Sequence, residues 1–368
     1  MPYVSIPWNL AEEFVADAFC GYGVPAEDAR ICADVLLESD RRGIESHGLN
    51  RLKPIYLDRI KDKIQSPVTN FEIVKDGPTV AVVDGHDGMG QVIGKRSMQI
   101  AIDKAKKLGL GMVAVRNSTH YGIAGFYTGM ASQAGCIGIT GTNARPSTAP
   151  TFGVENMFGT NPLAFGIPTD DPFDFSLDCA TSIIQRGKIE VLARKGMPSP
   201  LGTVISENGS PLTDAEEILK AIIKGKAALA PLGGIGEELA GYKGFGYATV
   251  VEILSSALQN GSFLKQLQGI DADGNRRASH LGHFFIAIDV EAFIPLTAFR
   301  KIAGDILRAL RNSKKAPGQD RIYTAGEKEY LVRLERENTG VPVNDSVQKE
   351  LVAVRDELGL TQYRFPFE

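Results

Sequence analysis

The chain holds five histidines, few enough to weigh one at a time. His47 stands in Glu45-Ser46-His47-Gly48-Leu49-Asn50-Arg51, where a hydroxyl, an imidazole and a guanidinium share a stretch without apolar periodicity. The planar fork of Arg51 suits a carboxylate, and a nearby imidazole exchanges protons close to neutral pH. A solvated segment capping a helix is the competing reading. His120 lies in Arg116-Asn117-Ser118-Thr119-His120-Tyr121-Gly122, after an apolar run and before a helical one. Catalytic groups gather at such strand ends, although Ser118 or Thr119 could equally serve as a helix cap. His280 and His283 form an HxxH, but His283 opens an alternating strand and no third ligand is nearby, so no metal site is expected. His86 is a loop residue without context.

Asp178-Cys179-Ala180-Thr181 ends a short apolar and acidic run. Its carboxylate could hold a ribose hydroxyl or an imidazole. Cys179 lacks a neighbour that would stabilise a thiolate, so it is read as packing and not as a nucleophile.

The elements that must position these groups alternate in type. Asn9 can cap a helix over Leu10 to Phe19, and Pro25 opens a second that carries Ile31, Val35 and Leu36 on one face. Charged residues from Glu38 to Leu52 then interrupt the pattern. Strand Thr79 to Val83, helix Gln91 to Leu108 ended by Gly109, strand Met112 to Val115, helix Gly122 to Ala134 and strand Cys136 to Thr142 follow, which is α/β composition. Beyond Leu201 comes a stretch rich in glycine, proline and acids, then helix Gly244 to Leu258 and strand His283 to Asp289. Phe299, Ile302, Ile306 and Leu310 repeat at helical spacing, as do Val347, Leu351, Val354 and Leu358, so both segments need a core to lie against. Packing the two helical ends together gives one discontinuous domain, 1–73 with 290–368, around a cofactor-binding α/β domain, 74–289.

Glycine-rich turns offer two places for a phosphate. Asp84-Gly85-His86-Asp87-Gly88-Met89-Gly90-Gln91 joins a strand to a helix, but the third glycine of the dinucleotide fingerprint is Ile93 and no acidic residue ends a second strand. Gly241-Tyr242-Lys243-Gly244-Phe245-Gly246 presents a lysine just before a helix, where a solvated loop lysine is the alternative.

Composition bounds the partners. Across 368 residues the net charge is −4 and 43% of residues are hydrophobic, so nothing attracts a nucleic-acid backbone and a sizeable core can form. No run approaches the roughly 20 apolar residues of a membrane span, and Met1 to Phe14 lacks the pattern of a signal peptide. Four scattered cysteines without CxxC spacing suit a reducing compartment, and the expected location is the cytoplasm.

Taken in order, Ser46-His47-Gly48 with Arg51, Asn117 to Gly122, Gly159-Thr160-Asn161-Pro162-Leu163-Ala164-Phe165 and Asp178 to Thr181 resemble the type-2 malate and L-lactate dehydrogenase family. The resemblance continues through Gly241 to Gly246, Gly282 to Asp289 and Arg321-Ile322-Tyr323-Thr324-Ala325-Gly326-Glu327, and so spans nearly the whole chain. That family includes L-sulfolactate and ureidoglycolate dehydrogenases and cyclic imine reductases, and it binds NAD(P) without a Rossmann fold. The resemblance implies an α/β (α+β) fold with a largely antiparallel central sheet, a helical domain from both chain ends, and a homodimer. It makes His120 the leading proton carrier, with His47 the alternative, and Arg51 the clamp on the substrate carboxylate. Ser46 and His47 line the same pocket. Asp178, Cys179, Ala180, Lys243, Gly326 and Glu327 would touch the cofactor, NAD with NADP not excluded. Two departures stand out: Ala144 replaces a serine found in some members, and Tyr56 falls one residue later after Arg51 than in several relatives.

Oxidising a 2-hydroxy acid demands a hydride acceptor, a base for the hydroxyl proton and a cation for the carboxylate. The malate/oxaloacetate pair is the expected substrate, because the acidic segment Gly233 to Gly241 resembles the malate-type branch. Lactate, sulfolactate, ureidoglycolate and a cyclic imine carboxylate are the competing substrates. A nucleotide-binding regulator without turnover is the competing class, and an absorbance assay with a panel of 2-oxo acids separates it.

Overall fold

The computed structural model describes residues 4–368. Strand β1 (Val4–Ile6) leads into α1 (Trp8–Gly21) and α2 (Ala26–Arg41). Pro7 and Pro25 occupy the two N-cap positions, so α1 starts one residue before Asn9 and that side chain does not cap it. Charged Glu38 to Arg41 belong to α2 rather than ending it, because Glu38 is paired with Arg42 and Arg333. Two 3₁₀ turns, Glu45–His47 and Leu49–Arg51, then a π turn, Leu52–Leu57, run into the single turn of α3 (Asp58–Lys61).

The sheet is built from β2 (Glu72–Asp76), β3 (Val80–Asp84), β4 (Leu110–Ser118), β5 (Cys136–Thr142), β6 (Leu163–Ile167), β7 (Phe175–Cys179) and a late strand, β10 (Leu281–Asp289). Its order is β2-β3-β4-β10-β5-β6-β7. Only β3 and β4 run parallel, joined by the crossover helix α4 (Gly90–Leu108); the other pairs are antiparallel. Ile93, Met98, Ala101 and Ala105 of α4 and Tyr127 and Ala131 of α5 (Ala124–Gln133) pack on Val83, Val113, Val115 and Phe285 of the strands. Apolar alternation along these strands is what fixes which face meets the helices.

The glycine- and proline-rich region holds more order than its composition suggests. α6 (Arg186–Arg194), β8 (Val204–Ser206), α7 (Ala215–Ile223) and β9 (Ala227–Leu229) close around their own apolar cluster of Ile184, Ile189, Leu192, Val204, Ile218 and Leu229. Helix α8 (Gly241–Leu254) starts at Gly241 rather than Gly244.

The chain ends with α9 (Leu296–Arg311), α10 (Glu327–Thr339), β11 (Val341–Val343) and α11 (Asp345–Leu358). β11 pairs antiparallel with β1, and Val347, Leu351 and Val354 join Phe14, Val15, Ala18 and Leu36 in one core. The expectation for α9 fails within this chain: Ile302, Ile306 and Leu310 are each more than half exposed, at 55%, 56% and 53%. Its charged side is the one held down, through Arg308 to Asp170 and Asp171. Among the described residues no helix is long and apolar enough to cross a membrane.

Candidate active site

The turn after β4 seats His120. Thr119 Oγ1 donates to the Gly88 carbonyl at 2.8 Å and accepts from the Gly90 N–H at 3.0 Å. A Cβ on Gly90 would sit 2.5 Å from the carbonyl oxygens of Thr119 and His120. The glycine-rich loop is therefore explained by close packing under His120, and the N-terminus of α4 is engaged by Thr119 rather than aimed at a phosphate. The structure agrees with the sequence in withholding a Rossmann turn here.

The segment Glu45–Arg51 folds around a buried carboxylate. Asp40 Oδ2 accepts the Leu49 N–H at 2.8 Å, and a Cβ on Gly48 would lie 2.0 Å from Asp40 Oδ1. So folded, the segment brings Ser46 Oγ to 2.9 Å from His47 Nδ1 and Arg51 Nε to 2.6 Å from the Ser46 carbonyl. His47 stacks on His120, centroids 5.6 Å apart. Residues far apart in sequence thus meet as one group, with Arg51 and Ser46 opening onto a cleft of about 570 Å³.

Three further residues join them. Tyr56 Oη lies 2.7 Å from His120 Nδ1, so the tyrosine displaced by one residue in sequence reaches the site after all. Arg59 and Arg145 line a small cavity of about 70 Å³ beside Ser118 and Thr119. The cations around Arg59 are Arg276, Arg145 and Arg51, and of the two that share its cavity wall Arg276 is paired with Asp62. Sequence reading missed both Arg59 and Arg145. The available signal was position, since Arg145 follows β5 by three residues, a strand end like the one that singled out His120.

Burial and these cations keep the imidazoles neutral. His47 is pulled down to about 4, first by burial and then by Arg51. His120 falls well below its ordinary value through burial, with His47, Arg59, Arg51 and His283 adding to it. His283, stacked on Tyr121 at 4.4 Å and 2.7 Å from Thr142 Oγ1, drops to about 3 by burial. His280 turns instead to Asp87, so the HxxH histidines serve different partners. Among the described residues no cluster of metal-ligating side chains forms.

The residues expected to meet a cofactor separate into groups. Asp178 sits inside β7, where Oδ2 accepts the Gly125 N–H at 2.7 Å in the first turn of α5; burial raises its pKa, against that N–H and Arg42. Asp178 and Ala180 line a cavity of about 120 Å³ with Ile44, His47, Ile123 and Pro162. The thiol of Cys179 is pushed up by burial and then by Asp178, which agrees with its reading as no nucleophile. Gly326, at φ +90, lies against Ser176 on the same strand and lines a second cavity of about 290 Å³. The Glu327 carboxylate is held by Arg321 and by the Thr324 N–H at 3.1 Å, so its side chain is tied to the loop ahead of its own helix. Lys243 projects exposed from the first turn of α8 and lines neither cavity. β7 is the last strand of the sheet, and both cavities open along it. Ile123, Pro162 and Ala180 give the first cavity apolar side chains beside Asp178, and Gly326 gives the second an open backbone, a lining compatible with a nicotinamide dinucleotide.

A neutral strand-end imidazole beside a guanidinium can exchange a hydroxyl proton and hold a carboxylate, which together with a hydride acceptor is what interconverting a hydroxyl and a carbonyl requires. On a sheet of this topology it defines a nicotinamide-linked oxidoreductase outside the Rossmann class. The chain belongs to the malate/L-lactate dehydrogenase family, whose pattern matches residues 6–352. It is 42% identical to a malate dehydrogenase of Pyrococcus horikoshii over 97% of this chain and 96% of that one. It is 37% identical to the L-sulfolactate dehydrogenase of Methanocaldococcus jannaschii, covering 95% and 96%. The crystal structure of malate dehydrogenase from Entamoeba histolytica superposes with a TM-score of 0.93 at 43% identity, covering 97% of this chain and 98% of that one.

Proposed function

We propose that this chain is an NAD-dependent malate dehydrogenase acting in the cytoplasm as a homodimer. The bound nicotinamide supplies the hydride acceptor or donor. His120 takes the C2 hydroxyl proton in oxidation and returns it to the carbonyl oxygen in reduction. Arg51 holds the carboxylate next to C2, while Ser46 and His47 wall the pocket. Asp178, Cys179, Ala180 and Gly326 bind the cofactor along β7 and Glu327 through its backbone, while Lys243, exposed at the start of α8 and outside both cavities, meets only a part of the cofactor that extends beyond them.

The observation that carries the choice of malate is the guanidinium pair Arg59 and Arg145. A buried guanidinium with other guanidinia near it and no carboxylate partner of its own is costly until an anion joins it, and a dicarboxylate brings a second carboxylate that a monocarboxylate lacks. Steady-state kinetics with oxaloacetate, 3-sulfopyruvate and pyruvate test this in the parent and in Arg145→Gln. The expected result is a preference for oxaloacetate that shrinks by at least about tenfold in the variant, with pyruvate little changed. Preference for sulfopyruvate would give the same cavity to a sulfonate. Preference for pyruvate would overturn the reading.

NAD is favoured over NADP because the arginines of the Gly326 cavity are already paired, Arg42 and Arg333 both with Glu38, leaving little for an added phosphate. The cytoplasm is supported by four unpaired cysteines. The division into 1–73 with 290–368 and 74–289 is supported by the core that α1, α2 and α11 share.

A further inference from the structure

Leu52–Leu57 departs from α geometry: the Asp58 N–H bonds to the Lys53 carbonyl, five residues back. In an α-helix each residue turns the chain by about 100°, so side chains five apart point about 140° away from each other. Bonding over five residues brings such a pair towards one face, and π turns concentrate at functional sites for this reason. Arg51 and Tyr56 are such a pair. Tyr56 is fully buried and its ring meets Phe19 edge-on, centroids 6.0 Å apart, so the hydroxyl has one direction to point.

That hydroxyl ends at Nδ1 of His120, where a second group already competes. The Gly122 N–H, 3.3 Å from Nδ1, can only donate, so it favours a bare Nδ1 and a neutral ring with its hydrogen on Nε2. Protein groups occupy Nδ1, which leaves Nε2 as the atom for substrate. An Nε2–H ring cannot accept a hydroxyl proton there; the other tautomer can. A phenol oxygen, unlike an amide N–H, accepts as well as donates.

We propose that Tyr56 is a positioning residue for His120: its hydroxyl accepts from Nδ1–H and so keeps Nε2 open to the substrate hydroxyl proton, with the π turn delivering it. The inference rests on His120 being the proton carrier of the proposed reaction. When Nε2 takes the proton, the imidazolium keeps its Nδ1–H bonded to Oη. The other groups that face His120 are His47, Arg51, Arg59 and His283, and none of these supplies an acceptor to Nδ1.

The test is Tyr56→Phe, which removes one oxygen from a buried ring, with 3-fluorotyrosine at position 56 as a second variant that keeps the shape and weakens the oxygen as an acceptor. Nitrogen-15 spectra of histidine-labelled protein read the tautomer without any substrate. Expected for Tyr56→Phe are a larger Nε2–H population at His120 and a malate-oxidation kcat lower by about 10- to 100-fold, with KM and cofactor affinity within about twofold. Fluorotyrosine should fall between parent and phenylalanine, and it decides the matter alone if the phenylalanine variant does not fold. An unchanged tautomer in the variants, whether or not kcat falls, would overturn the proposal. Failure of the underlying reading shows differently, as full turnover in His120→Ala, while the tautomer shift in the Tyr56 variants would persist.

Discussion

The imidazole of His47 lies against that of His120 with ring planes 20° from parallel. Two stacked imidazoles cannot both be cationic at low cost, and Arg51 and Arg59 add to the penalty. The two rings therefore titrate as a pair. Burial and these charges favour the neutral rings, which suits a base in hydroxyl oxidation. Substrate carboxylates would offset the guanidinium charges and allow an imidazolium to form in the reverse direction.

His120→Ala should lose turnover by about 10²- to 10⁴-fold, the range for an acid/base group, while reduced cofactor still binds. Fluorescence titration of the cofactor and steady-state rates with oxaloacetate, on one preparation, provide the check. Unchanged turnover would move the proton to His47.

Stability should depend on pH in two opposing ways. The folded chain holds His47 near about 4 against an ordinary 6.5. Between those values the unfolded chain binds more protons, so this contribution is lost as pH falls from about 6.5 towards 4. Asp40 behaves in reverse. Burial pushes it up to about 7 from 3.8, the folded chain binds more protons in that window, and stability falls as pH rises through it. His47→Gln should flatten the acid-side loss, and Asp40→Asn should gain on the parent at pH 8 relative to pH 5, each by on the order of 1–3 kcal/mol. Melting curves across that range measure both, and parallel curves for parent and variants would refute the assignment.

Four of the seven strands, β3, β4, β5 and β10, were legible because they are apolar runs, while β2, β6 and β7 were not. β5 begins and ends where the sequence placed it, and α4 stops at Gly109 as expected. Pairing direction was not legible: β3 and β4 run parallel while β4 and β10 do not, and nothing local distinguishes them. The resemblance, not periodicity, pointed to the antiparallel sheet. The body around α6 and α7 was hidden because its core uses few residues spread among glycines. At the site, Ser46, His47, Arg51 and His120 were legible as residue types in motifs. Tyr56 was marked only by its offset, and Arg59 and Arg145 not at all, because their roles depend on a π turn and on tertiary contacts between cations.

Arg51→Lys keeps the charge but loses the fork. It should weaken kcat/KM for the 2-oxo acid by on the order of 2–4 kcal/mol of transition-state stabilisation, with cofactor affinity little changed. Arg51 also donates to the Ser46 carbonyl at 2.6 Å, so some loss of stability is expected too. Melting temperature and cold-assayed kinetics separate the two effects, and a variant that melts early yet turns over normally would remove Arg51 from the substrate.

The last prediction concerns α9, which packs the wrong way round for a helix facing water. Its charged side is tied down, Arg308 to Asp170, Asp171 and Asp305, and Arg311 to Asp171. Its apolar side, with Ile302, Ile306 and Leu310, faces outward, and Phe293 just ahead of it is 75% exposed. An amphipathic helix normally buries the other stripe, and a contiguous exposed apolar patch marks a protein contact. A second copy of this chain is the partner we assign, since a twofold axis lets one patch cover itself. Ile306→Glu then places an unpaired carboxylate on each side of that contact, which should weaken assembly by at least about 3 kcal/mol, on the order of a hundredfold in Kd. Sedimentation at micromolar concentration should show the parent at twice the chain mass and the variant at the chain mass. The parent's melting temperature should also rise with concentration while the variant's does not. A parent that sediments as a monomer would dispose of the dimer, and a variant that keeps the parent's mass would place the contact on another face.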